Sequence, residues 1–180
     1  LTKYRSHPDK PLLMHTCGVV KDVKQRTTFK IAEIAAIFHD VGKLNPNFQR
    51  KLDMQKTDGY SNHAYLSAFS FLCYCAANQE AILKIFNNEK EWLGSILAII
   101  AHHHGDLPDF PIILTENEYS RLLSFLNENP ELPVSELVEG FISHNRFSVL
   151  NHQLKDHFQN SIQIQIARQI SKPLDFFLET

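Results

Sequence analysis

Ile37-Phe38-His39-Asp40-Val41-Gly42-Lys43 is the stretch from which the rest of the chain can be read. A histidine and an aspartate stand side by side at the end of an apolar run, and a lysine follows. Ile31, Ile34, Ala35, Ile37, Phe38 and Val41 are apolar nearly all round a helical wheel, which predicts one buried helix over residues 30–43. On such a helix His39 and Lys43, four apart, share a face, and Asp40 and Lys43, three apart, nearly do. His39 and Asp40 are separated by about 100°. One metal beside the helix can therefore take a nitrogen from the first and an oxygen from the second. A His-Asp pair on a surface means little, but a carboxylate on a buried helix must be paired or bound to a metal.

Working outward, histidines recur in or at the ends of apolar segments. Leu12 to about Gln25 is predicted as a first helix, with Leu12, His15, Val19 and Val23 on one approximate stripe that turns His15 inward. Asn45-Pro46 reads as a cap with proline at the first helical position, opening a short helix to about Leu52 that carries Arg50 and Lys51. After a polar loop, Ser61 is the expected cap of a helix over about 62–78, with His63 and Ser67 four apart on one face. A short helix at 80–87 leads into a longer one at 91–103, which runs straight into His102-His103-His104-Gly105. Glycine is expected just past a helix end, and one histidine there is favoured by the helix dipole. Three in a row ask for another reason.

The flanks are plainer. Residues 1–11, kept out of helix by Pro8 and Pro11, read as an extended lead-in with His7 facing solvent. Lys21, Lys24, Arg26 and Lys30 form a basic cluster, either a solvated turn or a phosphate track. Asp106 and Asp109 read as turn acids, and Thr115 with Glu118 as a capping box for a helix to about Asn127. Asn129 to Pro133 breaks that helix, and another starts near Ser135 and runs to about Asn145. Residues 149–170 read as helical and polar on one side. His144, His152 and His157 read as surface or capping residues. With no repeat and no alternating strand of useful length, the fold class is all-α, a helical bundle with a metal site between its central helices.

Size and composition agree. The 180 residues suit one domain spanning 1–180, and the chain starts with Leu1, which fits a piece of a longer protein. No apolar run approaches the roughly 18 residues of a membrane span, so no membrane partner is expected. Three unpatterned cysteines point to a reducing, cytoplasmic compartment, with Cys73 and Cys75 as packing residues. A net charge of -2 argues against a generally basic nucleic-acid coat, and ten histidines are the strongest compositional hint of metal.

The order His15, His39-Asp40, His63, then the histidine triplet, resembles the ligand order of the HD metal-dependent phosphohydrolases. Imidazole and carboxylate donors suit divalent transition metals. Two such ions about 3.5–4 Å apart can clamp a phosphodiester. Asp40 is the natural bridge, His15 and His39 complete one site, and His63, His103 and His104 the other. Lys43 on the same face is a candidate catalytic and substrate-binding residue, able to neutralise a phosphate oxygen or assist the leaving group. Ser67 is a second substrate-binding candidate. Without cysteine ligands an open hydrolytic site is the better reading than a structural one.

Within that superfamily the chain most resembles the HD nuclease domain of the type I CRISPR-associated helicase-nuclease, through Leu13-Met14-His15-Thr16, Phe38 to Lys43, Asn62 to Ser67 and Ile100 to Gly105. The family's His-His-Gly maps to His103, His104 and Gly105, leaving His102 as an extra. The resemblance implies a metal-dependent nuclease that hydrolyses single-stranded DNA exposed by an RNA-guided CRISPR surveillance complex, fed by a fused or separate superfamily-2 helicase. It implies manganese, nickel, cobalt or iron as cofactor, with magnesium a further candidate. The family also supplies a distal aspartate ligand. Asp156, Asp175 or an aspartate beyond the chain are the candidates, and neither of the first two sits in an Ala-Asp motif. Two other classes share these ligands: a phosphohydrolase of a dNTP or guanosine alarmone, which needs no long basic path, and a non-enzymatic HD scaffold, which tends to lose ligands.

Overall fold

The computed structural model describes residues 3–77, 82–84, 91–105 and 116–144. A short antiparallel hairpin, β1 (Arg5–His7) and β2 (Lys10–Pro11), leads into α1 (Leu12–Arg26). Then follow α2 (Lys30–Phe38), a 3-10 helix (Val41–Leu44), α3 (Pro46–Leu52), α4 (His63–Ala77), α5 (Glu91–Ala101), α6 (Glu116–Glu128) and α7 (Val134–His144). The chain is the all-α bundle that its periodicity predicts. The hairpin departs from the extended lead-in. Its strands are too short for alternation to register in the sequence, and Tyr4 O ties it to α1 by accepting from Leu12 N at 2.8 Å.

Helix α2 is the central rod, buried from Glu33 to Phe38 and packed against α1, α4, α5 and α7. Phe38 meets Phe71 and Tyr74 of α4 with ring centroids 5.3 and 5.1 Å apart. Each such side chain, fully buried, contributes about 1.5–3 kcal/mol of transfer free energy. Helices α2 and α5 lie side by side and run parallel. Phe29, just before α2, touches Trp92 at the start of α5, and His39, just after α2, touches His103, just after α5. Two neighbouring helices thus deliver their C-terminal histidines to one end of the bundle.

Four local expectations are corrected. The helix predicted over 30–43 stops at Phe38. His39 closes its ladder through His39 N to Ala35 O, Asp40 leaves helical geometry (φ -117°, ψ 8°), and Val41–Leu44 tightens into a 3-10 turn. Pro46 forbids continuation because it forces Asn45 into an extended conformation (φ -54°, ψ 123°). Close approach to α4 also demands the turn, since a Cβ on Gly42 would lie 2.0 Å from the His63 carbonyl oxygen. Secondly, α1 buries Leu12, Thr16 and Val20, so His15, Val19 and Val23 stand on the edge of the core rather than at its centre. Thirdly, Asn62, not Ser61, caps α4: its Oδ1 accepts from Tyr65 N at 3.3 Å. Lastly, α5 ends at Ala101, and His102 to His104 form a turn closed by Gly105 N to His102 O at 2.9 Å. Helix α3 has the cap expected, with Asn45 Oδ1 accepting from Asn47 N at 2.8 Å and Pro46 following.

Of the helix expected at 80–87 only residues 82–84 are described, and they are helical. Asp106, Asp109, Thr115, His152, Asp156, His157, Asp175 and the stretch 149–170 lie outside the described residues. Among the described residues no helix is long and apolar enough to cross a membrane.

Candidate metal centre

Asp40 is 1% exposed and faces five cationic or imidazole nitrogens. Its Oδ2 lies 2.8 Å from Lys43 Nζ, 2.9 Å from His15 Nε2 and 3.2 Å from His39 Nε2. Its Oδ1 lies 3.3 Å from His103 Nε2 and 3.6 Å from His63 Nε2. Beyond these, His15 and His39 bring their Nε2 atoms to 3.3 Å, and His63 and His104 to 2.8 Å. The structure thus gathers two donor groups that share Asp40: His15 and His39 on one side, His63, His103 and His104 on the other.

Backbone carbonyls orient two of the rings. His39 Nδ1 lies 2.7 Å from Ala36 O, and His103 Nδ1 lies 2.7 Å from Ile100 O. Each Nδ1 donates its proton there, because a carbonyl cannot donate, and this leaves Nε2 with a lone pair aimed at Asp40. The same i−3 contact at the ends of two parallel helices sets both tautomers.

This arrangement is short of protons. His103 Nε2 and Asp40 Oδ1 are both buried without a hydrogen-bond partner, although they are neighbours at 3.3 Å. Converging lone pairs repel unless a cation lies among them. Ligand atoms about 3 Å apart form the edge of a coordination polyhedron whose bonds are ~2 Å long, as imidazole and carboxylate take to divalent metals. The residues present therefore fit a metal of that kind. Charge states agree. Burial acts to raise the Asp40 pKa, but the rings of His103, His15 and His39, where they turn a proton toward it, outweigh burial, and the carboxyl is held well below the usual carboxylate range. Burial pushes His63 down to about 3, against the pull of Asp40, and lowers His104 as well. Neutral imidazole is the ligating form.

Lys43 is buried, bonded to Asp40 across one turn of the 3-10 helix, with Nζ 5.6 Å from the centre of the Phe48 ring. Its placement comes from the broken helix, since residues three apart eclipse one another in 3-10 geometry. Ser67 departs from its expected substrate-binding role. It is fully buried, accepting from Gly42 N at 2.8 Å and donating to His63 O at 2.8 Å, so it has no surface to offer a substrate. What it does is join the turn carrying Asp40 to the helix carrying His63.

His102 stands apart from the cluster, its ring 6.0 Å from that of Tyr65. His144 is exposed at the end of α7. Sequence reasoning missed Phe48, whose ring packs 4.7 Å from that of His63, and the near approach of His7, 5.4 Å from the His15 ring. Nothing in the sequence marks Phe48. The two carbonyl contacts had a signal: a histidine one residue past the end of an apolar helix is placed to bond back into the last turn.

A family model described as "Cas3, HD domain" matches residues 6–166. Comparison with curated proteins and with solved structures finds no match.

Proposed function

The chain belongs to the Cas3 HD-domain family, an HD-type nuclease family of CRISPR systems, and on that premise we propose that it cleaves phosphodiester bonds of single-stranded DNA during CRISPR interference. His15, His39 and Asp40 hold one divalent ion, and Asp40, His63, His103 and His104 a second. Supporting this above all is Asp40, deeply buried, with imidazole nitrogens against both of its carboxylate oxygens. The nitrogen and oxygen donors favour manganese, nickel, cobalt or iron. Bound there, such ions polarise a phosphate oxygen and lower the pKa of water.

The chain's own residues prepare that chemistry. Ala36 and Ile100 carbonyls hold His39 and His103 in the ligating tautomer. Lys43 fixes Oδ2 of Asp40 and keeps a positive charge beside the position of a bound phosphate. Phe48 packs its ring against that of His63 and holds it in place. A superfamily-2 helicase and an RNA-guided surveillance complex supply the strand, as family membership suggests.

The test is incubation of purified protein with labelled single-stranded DNA, double-stranded DNA, dGTP and ppGpp, in manganese, nickel or EDTA. Cleavage of the single strand alone, lost in EDTA, is the expected result. Turnover of a nucleotide without any polymer would replace this reading with that of a metabolic phosphohydrolase.

A further inference from the structure

The end of the bundle opposite the metal cluster carries an exposed aromatic pair. Phe29 is 43% and Trp92 is 38% exposed, and their rings meet edge to face at 5.2 Å. They stand at the starts of the same two parallel helices whose far ends bear His39 and His103. Around Phe29 lie Lys21, Lys24, Arg26 and Lys30, all exposed. Lys24 and Lys30 reach the buried carboxylate of Glu33, at 3.7 and 2.9 Å, and keep much of their side chains in solvent. Asp22 and Glu33 are the acids on this stretch of α1 and α2, and Glu91 precedes Trp92 on α5, so four cations stand against three acids at this pole.

We propose that this pole is an anchor for single-stranded nucleic acid, in which bases stack on Phe29 and Trp92 while Lys21, Lys24, Arg26 and Lys30 hold phosphates. Stacking platforms flanked by cations are how sequence-tolerant single-strand sites are built. Neither component alone selects this partner. A protein surface would answer the aromatic pair but not four cations, and a phosphate would answer the cations but not the rings. The inference rests on the nuclease reading and adds a second contact to it. Ten residues separate Phe29 from His39, about 15 Å along α2, so several nucleotides lie between the pole and the cluster. A strand anchored at the pole thus presents a bond to the metal cluster only when it is longer than that.

The chain has one tryptophan, so Trp92 reports on the pole directly. Oligo-dT is titrated into the full chain in EDTA, where the strand stays intact, with Trp92 emission followed alongside the anisotropy of a labelled strand. Quenching of Trp92 along the anisotropy isotherm is expected, weakening with salt. Phe29→Ala and, separately, Arg26→Glu weaken binding about tenfold, while manganese-dependent hydrolysis of bis(p-nitrophenyl) phosphate is unchanged. Binding with Trp92 emission unmoved, or wild-type affinity in both variants, overturns the anchor. The nuclease reading then stands if manganese still supports strand cleavage. A strand neither bound nor cleaved removes both. Emission that changes with protein concentration and not with DNA assigns the pair to contact with a second copy and overturns the proposal as well.

Discussion

Asp40 and Lys43 illustrate at the scale of single residues why a binding site is a stability problem. Asp40 is desolvated, and Lys43, itself 4% exposed, is bonded to it. Removing one partner of a buried pair costs about 3–5 kcal/mol, because the other charge is left uncompensated. Asp40→Ala should therefore abolish metal-dependent hydrolysis and lower the melting temperature as well. Adding Lys43→Met to it should recover most of the lost stability and none of the activity. Calorimetry and the nuclease assay read these two effects separately, and a double variant no more stable than Asp40→Ala would show that Lys43 is not buried against Asp40. The histidine triplet gives a second residue-level prediction. His103 Nε2 faces Asp40 at 3.3 Å, whereas His102 packs toward Tyr65. His103→Ala should lower manganese affinity at least tenfold in a titration where His102→Ala changes it little. Equal losses would mean that the register of the triplet is different.

At the scale of elements, the site is a matter of how the 3-10 turn meets α4. Gly42 packs so closely on α4 that an added Cβ would lie 2.0 Å from His63 O and 2.9 Å from Ser67 N, both of them backbone atoms that cannot swing aside. Overpacking of this kind costs about 1–3 kcal/mol or more. Gly42→Ala should lower the melting temperature by several degrees and weaken metal binding by moving Asp40 relative to His63. Ser67→Ala tests the same joint more gently. It leaves Gly42 N buried without an acceptor, for about 1–3 kcal/mol, and should loosen metal affinity while leaving secondary structure by circular dichroism unaltered. This joint also marks where the sequence stopped being legible. Helical periodicity and the Asn45-Pro46 cap give α1, α3, α4 and α5 to within two residues, because those signals are local. The ligand types were legible for the same reason: five histidines in apolar settings announce themselves. The break after Phe38 was not, since Val41 continues the apolar pattern beyond it, and contact with α4, which spacing does not show, helps fix where the turn falls. Ser67 looked like a substrate contact because spacing shows that it shares a face with His63 but not that Gly42 already occupies that face.

For the whole molecule, folding and metal binding draw on the same protons. Burial holds His63 neutral down to about pH 3, whereas an unfolded histidine takes up a proton near 6.5. Between those values the unfolded chain binds more protons than the folded one, so stability falls as pH falls, by at most ~1.4 kcal/mol per pH unit from this group. Asp40 acts in the same direction at lower pH. Its depressed pKa contributes stability above the ordinary carboxylate value that is lost as the pH drops below it. A bound ion adds stability by mass action, about 2.7 kcal/mol at a hundredfold excess over its dissociation constant. That gain shrinks only where protons compete for the ligands, and burial keeps His63 free of them down to about pH 3. Melting curves in EDTA and in manganese at pH 7.5, 6 and 4.5 should therefore show both curves moving down with pH. Replacing His63 with Gln should flatten the EDTA series between pH 6 and 4.5. An EDTA series that stays flat from pH 6 to 4.5 in the unaltered chain would mean that burial does not hold His63 neutral, since a ring that takes up its proton only on unfolding must make stability fall over that range.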